Sequence, residues 1–491
     1  MKNIVKKLAP LALAVLVLTG CEKEYLETTP KSQVPNDLVF SSTEGATVAL
    51  NGIYRSMWTS MDGSHGHFGQ KSYDLTMDMM GNDVITPVRG YGWFVAEYNH
   101  SAYGTATQTS RSGATWRYYY RTINNANLII ANVDEAVGTQ ERRDYLKGNA
   151  LFLRAHSYFY LINLFQHTYK GNENAPGVPL YTEPTTEGKG RGTVQEVYNQ
   201  IVADLDAAEA LLAGKTKDHV SHINQKTVKG LQARVALQME NWERAAIKAN
   251  EARQGYTLMN AATYKAGFGT SNGEWMWGLQ IPNDQSTIYA SFFSHMANTA
   301  GGYAGLGSTK LITRELYEKM SPTDVRREIV QAPSVDNKGT YYNYTSLKFR
   351  LPGAGSWAAD YVLMRASEMY LIEAEALARL GRDAEAVTVL ETLVKARDPL
   401  YVTLATSGTA LIEEILIQRR IELWGEGFSI LDLKRLNRPV KRTVGTAPNG
   451  EHVEALILVK ERSITDPQIL FRIPQDELNN NKALSAGDQN P

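Results

Sequence analysis

Apolar residues recur every three or four positions over several long segments, and this spacing predicts amphipathic helices. Ala46, Leu50, Ile53 and Met57 mark the first of them, a helix predicted over 42–58. Comparable stripes predict helices over 116–133, 141–165 and 411–424. The sequence TVQE at 193–196 has the form of a capping box and predicts a helix that runs to about residue 212. The pattern indicates a mainly α protein.

Two passages of the chain resemble each other at one constant offset, namely 233–245 and 374–386. Each predicts a helix, a tight turn and a second helix. Small residues at matching positions, such as Ala233 and Ala374, allow paired helices to approach closely, as tetratricopeptide-type repeats require. A generic alanine-rich helical hairpin is the alternative interpretation.

The helical period is lost in two regions, about 60–115 and 256–362, and these are predicted to be rich in loops. Residues 81–115 carry many Gly, Asn, Ser and Thr, with aromatic residues among them. In the second region, 275–281 and 341–350 are predicted to be short strands, 321–324 begins a short helix, and 282–307 is a glycine-punctuated loop. Long loops in compact proteins are often functional.

The first 21 residues have the order of features found in a lipoprotein signal. Three lysines come first, then an apolar run at 8–18, then Thr19, Gly20 and the only cysteine, Cys21. The apolar run is too short to cross a membrane as a helix. We therefore expect 1–20 to be a signal peptide, Cys21 to carry lipid, 21–40 to be a tether and 41–491 to be one helical domain. An ordinary signal peptide followed by an incidental cysteine is the alternative.

Composition excludes several functional classes. Hydrophobic residues make up 43% and charged residues 21% of the 491, which is typical of a globular chain. Without the signal peptide, 48 basic and 52 acidic residues remain, and this balance argues against a nucleic-acid partner. With Cys21 assigned to lipid, disulfides, thiol catalysis and cysteine zinc sites are excluded.

Motifs for catalysis or metal binding are almost absent from the sequence. Metalloprotease and P-loop patterns do not occur. His65 and His67 could ligate a metal but have no obvious third ligand, so we expect no metal and no cofactor. The residues Asp74, Asp78 and Asp83 could suggest a glycosidase pair, but helix caps and ion pairs are the favoured roles.

Several longer passages resemble the SusD/RagB family of outer-membrane nutrient-uptake lipoproteins, and the likeness extends from the lipobox to the C-terminus. They are RAHSYFYLINLF at 154–165, GVPLY at 177–181, MRASEMYLIEAE at 364–375, RRIELWGEGF at 419–428, DLKR at 432–435 and FRIP at 471–474.

The resemblance implies a scaffold of tetratricopeptide-like helix pairs with a variable, loop-rich half that binds ligand. It also implies a partner, a SusC-like TonB-dependent outer-membrane barrel over which the lipoprotein acts as a hinged lid. The family mostly captures oligosaccharides, some members take peptides, and it performs no chemistry. The acidic residues Glu22, Glu24 and Glu27 resemble the signal that sends such lipoproteins to the outer face of the outer membrane.

A glycan site needs exposed aromatic faces beside amide, guanidinium or carboxylate groups, because sugars present C–H patches flanked by hydroxyls. Two loops offer that combination. The predicted ligand-binding residues are Asn82, Arg89, Tyr91 and Trp93 in the first loop and Tyr289, Asn298 and Tyr303 in the second, with Asp83, Asp284 and His295 nearby. Core packing is the alternative role of each aromatic residue, and we assign Trp116, Trp275 and Trp277 to the core. Likewise, Arg419, Arg420 and Glu422 are predicted to form structural ion pairs within their helix.

The resulting hypothesis is a lipid-anchored, surface-exposed glycan-binding protein that delivers oligosaccharides to a transporter. A peptide or another nutrient as ligand is the first alternative. A surface glycoside hydrolase and a scaffold without a ligand are the others.

Overall fold

The computed structural model of the protein describes residues 36–101, 107, 110–297, 302–332, 343–353 and 357–490. The predicted signal peptide, the lipid attachment at Cys21, most of the tether and the predicted ligand-binding residue Asn298 lie outside these ranges. Within them, no helix is both long enough and apolar enough to cross a bilayer.

Helices form most of the described structure, and we number helices and strands in chain order. The α-helices are α1 (Asn36–Val39), α2 (Thr43–Ser56), α3 (Gln70–Met79), α4 (Val95–Tyr98), α5 (Arg111–Asn132), α6 (Gln140–Phe165), α7 (Val194–Leu211), α8 (Gln225–Gln238), α9 (Trp242–Arg253), α10 (Ala261–Lys265), α11 (Phe292–Met296), α12 (Arg314–Tyr317), α13 (Val325–Glu328), α14 (Ala366–Arg379), α15 (Asp383–Lys395), α16 (Gly408–Glu422), α17 (Ser429–Arg435) and α18 (Gln475–Asn480). A π-helical turn covers Ala304–Ser308.

The strands are short and pair as two-stranded ribbons. They are β1 (Val84–Ile85), β2 (Pro176–Pro179), β3 (Arg191–Thr193), β4 (Trp275–Leu279), β5 (Leu311–Ile312), β6 (Tyr361–Arg365), β7 (Val440–Lys441), β8 (Val444–Gly445), β9 (His452–Val453) and β10 (Glu461–Arg462). The pairs β1–β5, β2–β3, β4–β6 and β7–β10 are antiparallel, and β8–β9 is parallel. The mainly α class with a few short strands is confirmed.

The long helices pack as successive neighbours around one continuous hydrophobic core. Helix α5 packs on α6, α6 on α7, α8 on α9, and α14 on α15. Helix α9 also packs on α14, which brings the two halves of the chain together across the loop-rich region between them. The loops that leave this helical body are therefore held on a rigid support.

Side-chain caps explain where the predicted helices begin. The capping box at Thr193 and Glu196 is present and starts α7, as the sequence predicts. Helix α5 begins five residues earlier than predicted because the Ser110 side chain accepts a hydrogen bond from the Gly113 N–H. That cap places Arg111 at the first turn, where it contacts the neighbouring loops.

The two passages of similar sequence form matching hairpins, α8–α9 and α14–α15, and their helix–turn–helix prediction is confirmed. Their turns share an unusual backbone conformation at equivalent positions. Glu240 has a φ of 57° and Gly381 a φ of 74°, both in the left-handed region that glycine adopts most readily. The shared turn shows that the likeness of the two passages reflects a common local structure.

Three predicted features are wrong. Helix α3 falls in a region that was predicted to be rich in loops. All ten of its residues are buried, polar ones such as Lys71 and Asp74 included, so its polar residues form no exposed face that would reveal a helical period. Helix α17 occupies a segment for which no helix was predicted. Within 343–350 the residues Thr345 and Ser346 make only isolated bridges, and the partner of strand β4 is β6.

Candidate ligand-binding surface

The β1–β5 ribbon brings the two predicted ligand loops together. Strand β1 leads directly into the first loop, and the π-helical turn that follows Tyr303 leads into β5. Buried Lys310 joins the loops, since its Nζ donates to the Thr86 Oγ1 (3.2 Å) and to the main-chain oxygen of Ser308 (3.2 Å). Residues more than 200 positions apart in sequence therefore become neighbours.

Aromatic side chains from both loops meet around Tyr303. The Tyr303 ring centroid lies 5.3 Å from that of Tyr91, 6.1 Å from that of Trp93 and 5.6 Å from that of Tyr289. Two further residues complete what we call the aromatic cluster, which consists of His65, Tyr91, Trp93, Tyr289, Tyr303 and Trp357. The rings of Tyr91, Trp93 and Tyr289 are inclined at 57° to 67° to the Tyr303 ring, and each ring combines an apolar face with a polar edge.

The members of the aromatic cluster differ in exposure. Tyr91 is 74% exposed and Tyr289 is 41% exposed, which is unusual for large hydrophobic side chains. Trp93 is half-buried, and Tyr303 is only 9% exposed. Tyr303 is thus the packed centre of the cluster, while the two exposed tyrosines leave ring faces open to solvent.

Two histidines hold Tyr303 in place from below. Its hydroxyl is hydrogen-bonded to the His65 Nδ1 at 2.6 Å, and the main-chain oxygen of His65 accepts a hydrogen bond from the His295 Nε2 (2.9 Å). The buried His295 ring also stacks on Tyr303, with centroids 5.1 Å apart. Burial lowers the pKa of His295 to about 3, so the His295 ring is uncharged at neutral pH.

The first turn of α5 fixes the loop on the other side. Arg111 donates to the Gly66 main-chain oxygen (2.7 Å) and to the Glu97 Oε1 (2.9 Å), and its guanidinium lies 4.6 Å from the centre of the Phe94 ring. The absence of a side chain at Gly66 lets the Trp93 ring pack closely against the backbone, because a Cβ at this position would lie only 3.2 Å from that ring. The cluster is therefore pre-organised by buried contacts beneath it.

The remaining predicted residues are placed differently. Arg89 is exposed on the same loop as Tyr91. Asn82 lies apart from the cluster, because its Oδ1 accepts a hydrogen bond from the Lys441 N–H (2.9 Å) on strand β7. Asp83 is buried and pairs with Arg420 at 2.7 Å, and His295 supports the cluster from within. We accordingly remove Asn82 from the proposed site.

Sequence reasoning overlooked two members of the cluster, His65 and Trp357. His65 was considered only as a possible metal ligand, although a histidine between small residues in an aromatic-rich loop is an equally good ring for packing. Trp357 lies in the predicted loop-rich region but was not singled out. Within the ranges that the structure describes, no three His, Cys, Asp or Glu side chains are grouped so as to hold a metal ion.

The three aspartates considered as a glycosidase pair have the structural roles that were favoured. Asp78 accepts hydrogen bonds from the main-chain N–H groups of Gly427 (2.8 Å) and Ser429 (3.1 Å), and burial raises its pKa to about 7. Asp74 accepts a hydrogen bond from the Tyr160 hydroxyl (2.8 Å). The Asp78 bonds join α3 to the C-terminal part of the chain, and the Asp74 bond joins it to α6.

A second dense group of side chains, of a different kind, lies inside the helical body. We call it the buried ion network, and its members are Glu274, Asp324, Arg326, Lys348, Arg365, Arg397, Glu422 and Glu426. Glu422 is at its centre and contacts Arg365 (2.6 Å), Arg397 (3.0 Å) and Arg326 (3.2 Å). Four cations balance four carboxylates, as buried charges require.

Charge pairing also sets the ionisation of the network. Burial alone would raise the pKa of Glu426, but Arg365 and Lys348 lower it to about 2. Arg419, Arg420 and Glu422 do form ion pairs, but the prediction that these pairs lie within their own helix is wrong. The pairs connect α16 with other elements, as the 2.7 Å contact of Arg419 with Asp432 on α17 illustrates.

Two family models match this chain. A family model described as "Starch-binding associating with outer membrane" matches residues 24–237, and a model described as "SusD family" matches residues 282–491. Together the two models cover most of the chain, apart from residues 1–23 and 238–281.

Solved structures of similar proteins share the fold over nearly the whole chain. A SusD-like carbohydrate binding protein from Bacteroides vulgatus is 28% identical, covers 92% of this chain over 98% of its own length, and has a TM-score of 0.77. A putative sugar binding protein from the same organism is also 28% identical over the same shares of the two chains, with a TM-score of 0.78.

Relatives known by sequence include proteins from Formosa agariphila. The SusD-like protein P38 is 23% identical in an alignment that covers 87% of this chain and 90% of that protein. The SusD-like protein P25 is 26% identical in an alignment that covers 54% of this chain and half the length of that protein.

Proposed function

This chain belongs to the SusD/RagB family, and from that premise we propose that it is a cell-surface glycan-binding lipoprotein that captures oligosaccharides for uptake. The observation that carries the proposal is the aromatic cluster, in which Tyr91 and Tyr289 keep ring faces exposed on a rigid, pre-organised support. Sugar rings stack on such faces through their C–H patches.

Hydrogen-bonding groups at the edge of the cluster fit the same ligand. The exposed guanidinium of Arg89 and the tyrosine hydroxyls can bond sugar hydroxyls, which both donate and accept. The descriptions of the matching family and of the Bacteroides vulgatus relative support a carbohydrate as the ligand class.

Delivery to the cell interior is the second part of the proposal. The protein is anchored to the outer membrane through lipid on Cys21, faces the cell exterior and passes its ligand to a SusC-like TonB-dependent barrel. The predicted tether ahead of α1 connects the lipid to the helical body. The role of the protein is to capture and release its ligand without chemical reaction, so a modest affinity for the ligand is sufficient.

A binding screen with the purified protein tests the ligand class. Oligosaccharides of different composition and linkage are compared with short peptides in calorimetry. We expect saturable binding of at least one oligosaccharide and none of the peptides, and release of sugar products is not expected on prolonged incubation. Binding of peptides alone would replace the glycan proposal by the peptide alternative, and products would indicate a hydrolase.

The anchor is tested by replacing Cys21 with Ala. We expect the variant to leave the membrane fraction while retaining the circular dichroism spectrum of the folded protein. Retention of the variant in the membrane fraction would contradict lipid attachment at this residue.

A further inference from the structure

Two positively charged side chains lie on the Tyr91 side of the aromatic cluster. One is the exposed guanidinium of Arg89, and the other is the buried ammonium group of Lys310. Neither forms an ion pair with a carboxylate of the described residues, and the Lys310 Nζ donates instead to the Thr86 Oγ1 and to the main-chain oxygen of Ser308. Burial lowers the pKa of Lys310 to about 8, so this group remains largely protonated at neutral pH.

Local contacts hold both charges beside the open ring of Tyr91. Arg89 and Tyr91 belong to one tight turn, which a main-chain hydrogen bond of 2.8 Å closes. Gly90 lies between them and packs against Ser308, because a Cβ at Gly90 would overlap the Ser308 hydroxyl. The main-chain oxygen of Ser308 is an acceptor for Lys310 (3.2 Å). The buried charge is therefore next to the turn that presents the exposed one.

The carboxylates of the surrounding segments are either paired or placed elsewhere. Glu97 pairs with Arg111 at 2.9 Å. Asp284 and Asp360 lie near the beginning of the second loop, where the Asp360 Oδ1 accepts a hydrogen bond from the Ile281 N–H (3.3 Å). Charge is therefore segregated along the surface, with unpaired cations at the first loop and carboxylates where the second loop starts.

The pKa of His295 reflects the sign of the charge beneath the rings. Burial is the main cause of its low pKa, and the charged groups that lower it further include Lys310 and Arg111, both of them positive. A positive potential at the base of the cluster favours a negatively charged group on a ligand that lies above it.

Arg89 has the chemistry to bind such a group. A guanidinium presents parallel N–H donors that match two oxygen atoms of a carboxylate or a sulfate, and these bonds are stronger than bonds to a neutral hydroxyl. Arg89 is exposed, so its donors can reach a ligand. Lys310 is buried and acts through its charge alone, which salt in the solvent screens only weakly.

We propose that the aromatic cluster selects glycans that carry carboxylate or sulfate groups, and that Arg89 binds the anionic group while the sugar ring beside it stacks on Tyr91. The proposal rests on the glycan-binding function proposed above and adds the charge class of the ligand. Lys310 strengthens the selection by keeping a positive charge close to the turn of Arg89.

The test is calorimetry with matched pairs of oligosaccharides that share one sugar sequence and differ in charge. The pairs are oligogalacturonate with its methyl ester, alginate oligosaccharide with its carboxyl-reduced form, and carrageenan oligosaccharide with its desulfated form. We expect the charged member of at least one pair to bind about tenfold more tightly than its neutral counterpart. Salt at about 0.5 M should reduce this difference, because the contact with Arg89 is exposed to solvent.

Variants of Arg89 assign the preference to this residue. Arg89→Gln should weaken binding of the charged member by about tenfold and leave the neutral member within about twofold of the wild type. Arg89→Lys should retain part of the preference, because the charge remains while the paired donors are lost. The matched control Arg382→Gln removes an exposed guanidinium from the turn between α14 and α15, and it should bind both members as the wild type does.

A Lys310→Met variant tests the buried charge separately. It should also weaken binding of the charged member, and its melting temperature shows whether the loops remain folded. Should this variant fail to fold, the test still stands on Arg89, because an exposed side chain can be changed without disturbing the core.

The outcomes separate this proposal from the function on which it rests. Equal affinity within every pair, tighter binding of the neutral members, or an unchanged preference in Arg89→Gln would each overturn the anionic selection. The first two of these results would leave the glycan function standing. Binding of peptides alone, or of no oligosaccharide at all, would contradict the glycan function itself and the anionic selection with it.

Discussion

The aromatic cluster and the buried ion network are both dense groups of side chains drawn from distant parts of the chain, yet they differ in how completely their interactions are used. In the network, Glu422 is fully buried and satisfied by three arginines. In the cluster, Tyr91 and Tyr289 keep much of their surface in water. A group whose interactions are all internal stabilises the fold, whereas a group with open faces is available to a ligand.

The two regions also have different roles in the protein. The network links strand β6 with α13 and α16, and so it fixes the helical body on which the loops stand. The cluster uses buried groups such as His295 and Arg111 only as a support for rings at the surface. Damage to the network should therefore cost stability, and damage to the open faces of the cluster should cost affinity.

The largest effect is expected for Glu422→Gln in the network. The change removes one charge from among three buried arginines, and breaking a buried ion pair in this way costs about 3–5 kcal/mol of the free energy of unfolding. Chemical denaturation measures it. As a matched control, Glu385→Gln disturbs an exposed pair with Arg382 and should leave the midpoint unchanged. Equal midpoints for the two variants would contradict the structural role of the network.

A smaller effect is expected from protonation of His295 beneath the cluster. Its pKa is lowered to about 3 in the folded protein from an ordinary value of 6.5, so the stability that its neutral form contributes is present above pH 6.5 and is lost as the pH falls towards 3. At pH 5 this loss is about 2 kcal/mol. His295→Gln lacks the titration, so its stability deficit relative to the wild type should shrink by that amount between pH 7 and pH 5. A constant deficit would contradict a neutral, buried His295.

The smallest effect is expected for Tyr303→Phe at the centre of the cluster. The variant loses the hydrogen bond to His65 but keeps the ring, which should cost about 1 kcal/mol of the free energy of unfolding. Affinity for the glycan should stay within a few-fold of the wild-type value, because Tyr303 is almost buried. A much larger loss of affinity would mean that its hydroxyl contacts the ligand directly.

The sequence predicted these two regions unequally. The helices with one apolar stripe, such as α2 and α7, could be predicted because a half-buried helix shows its period. The buried ion network could not be predicted from the sequence, because Glu274, Arg365 and Glu422 are far apart in it and charged residues are ordinarily exposed. Only the fold shows that they share one interior site.

The candidate site was predicted in part for a similar reason. Aromatic residues in two loops suggested a binding surface, but the β1–β5 pairing that joins the loops could not be foreseen from strands of two residues. Asn82 was included because it is close to Tyr91 in sequence. Strand β1 lies between them, however, and it carries the two residues to opposite ends of the ribbon.

The most direct test of the central claim is the affinity of the double variant Tyr91→Ala and Tyr289→Ala for the oligosaccharide that binds best in the screen. Both side chains are exposed, so the melting temperature should not change, while affinity should fall by about tenfold or more as two stacking faces are removed. The control is the double variant Leu404→Ala and Leu458→Ala, which removes two other exposed apolar side chains and should bind as the wild type does. Wild-type affinity of the tyrosine variant would contradict the assignment of the aromatic cluster as the ligand-binding surface.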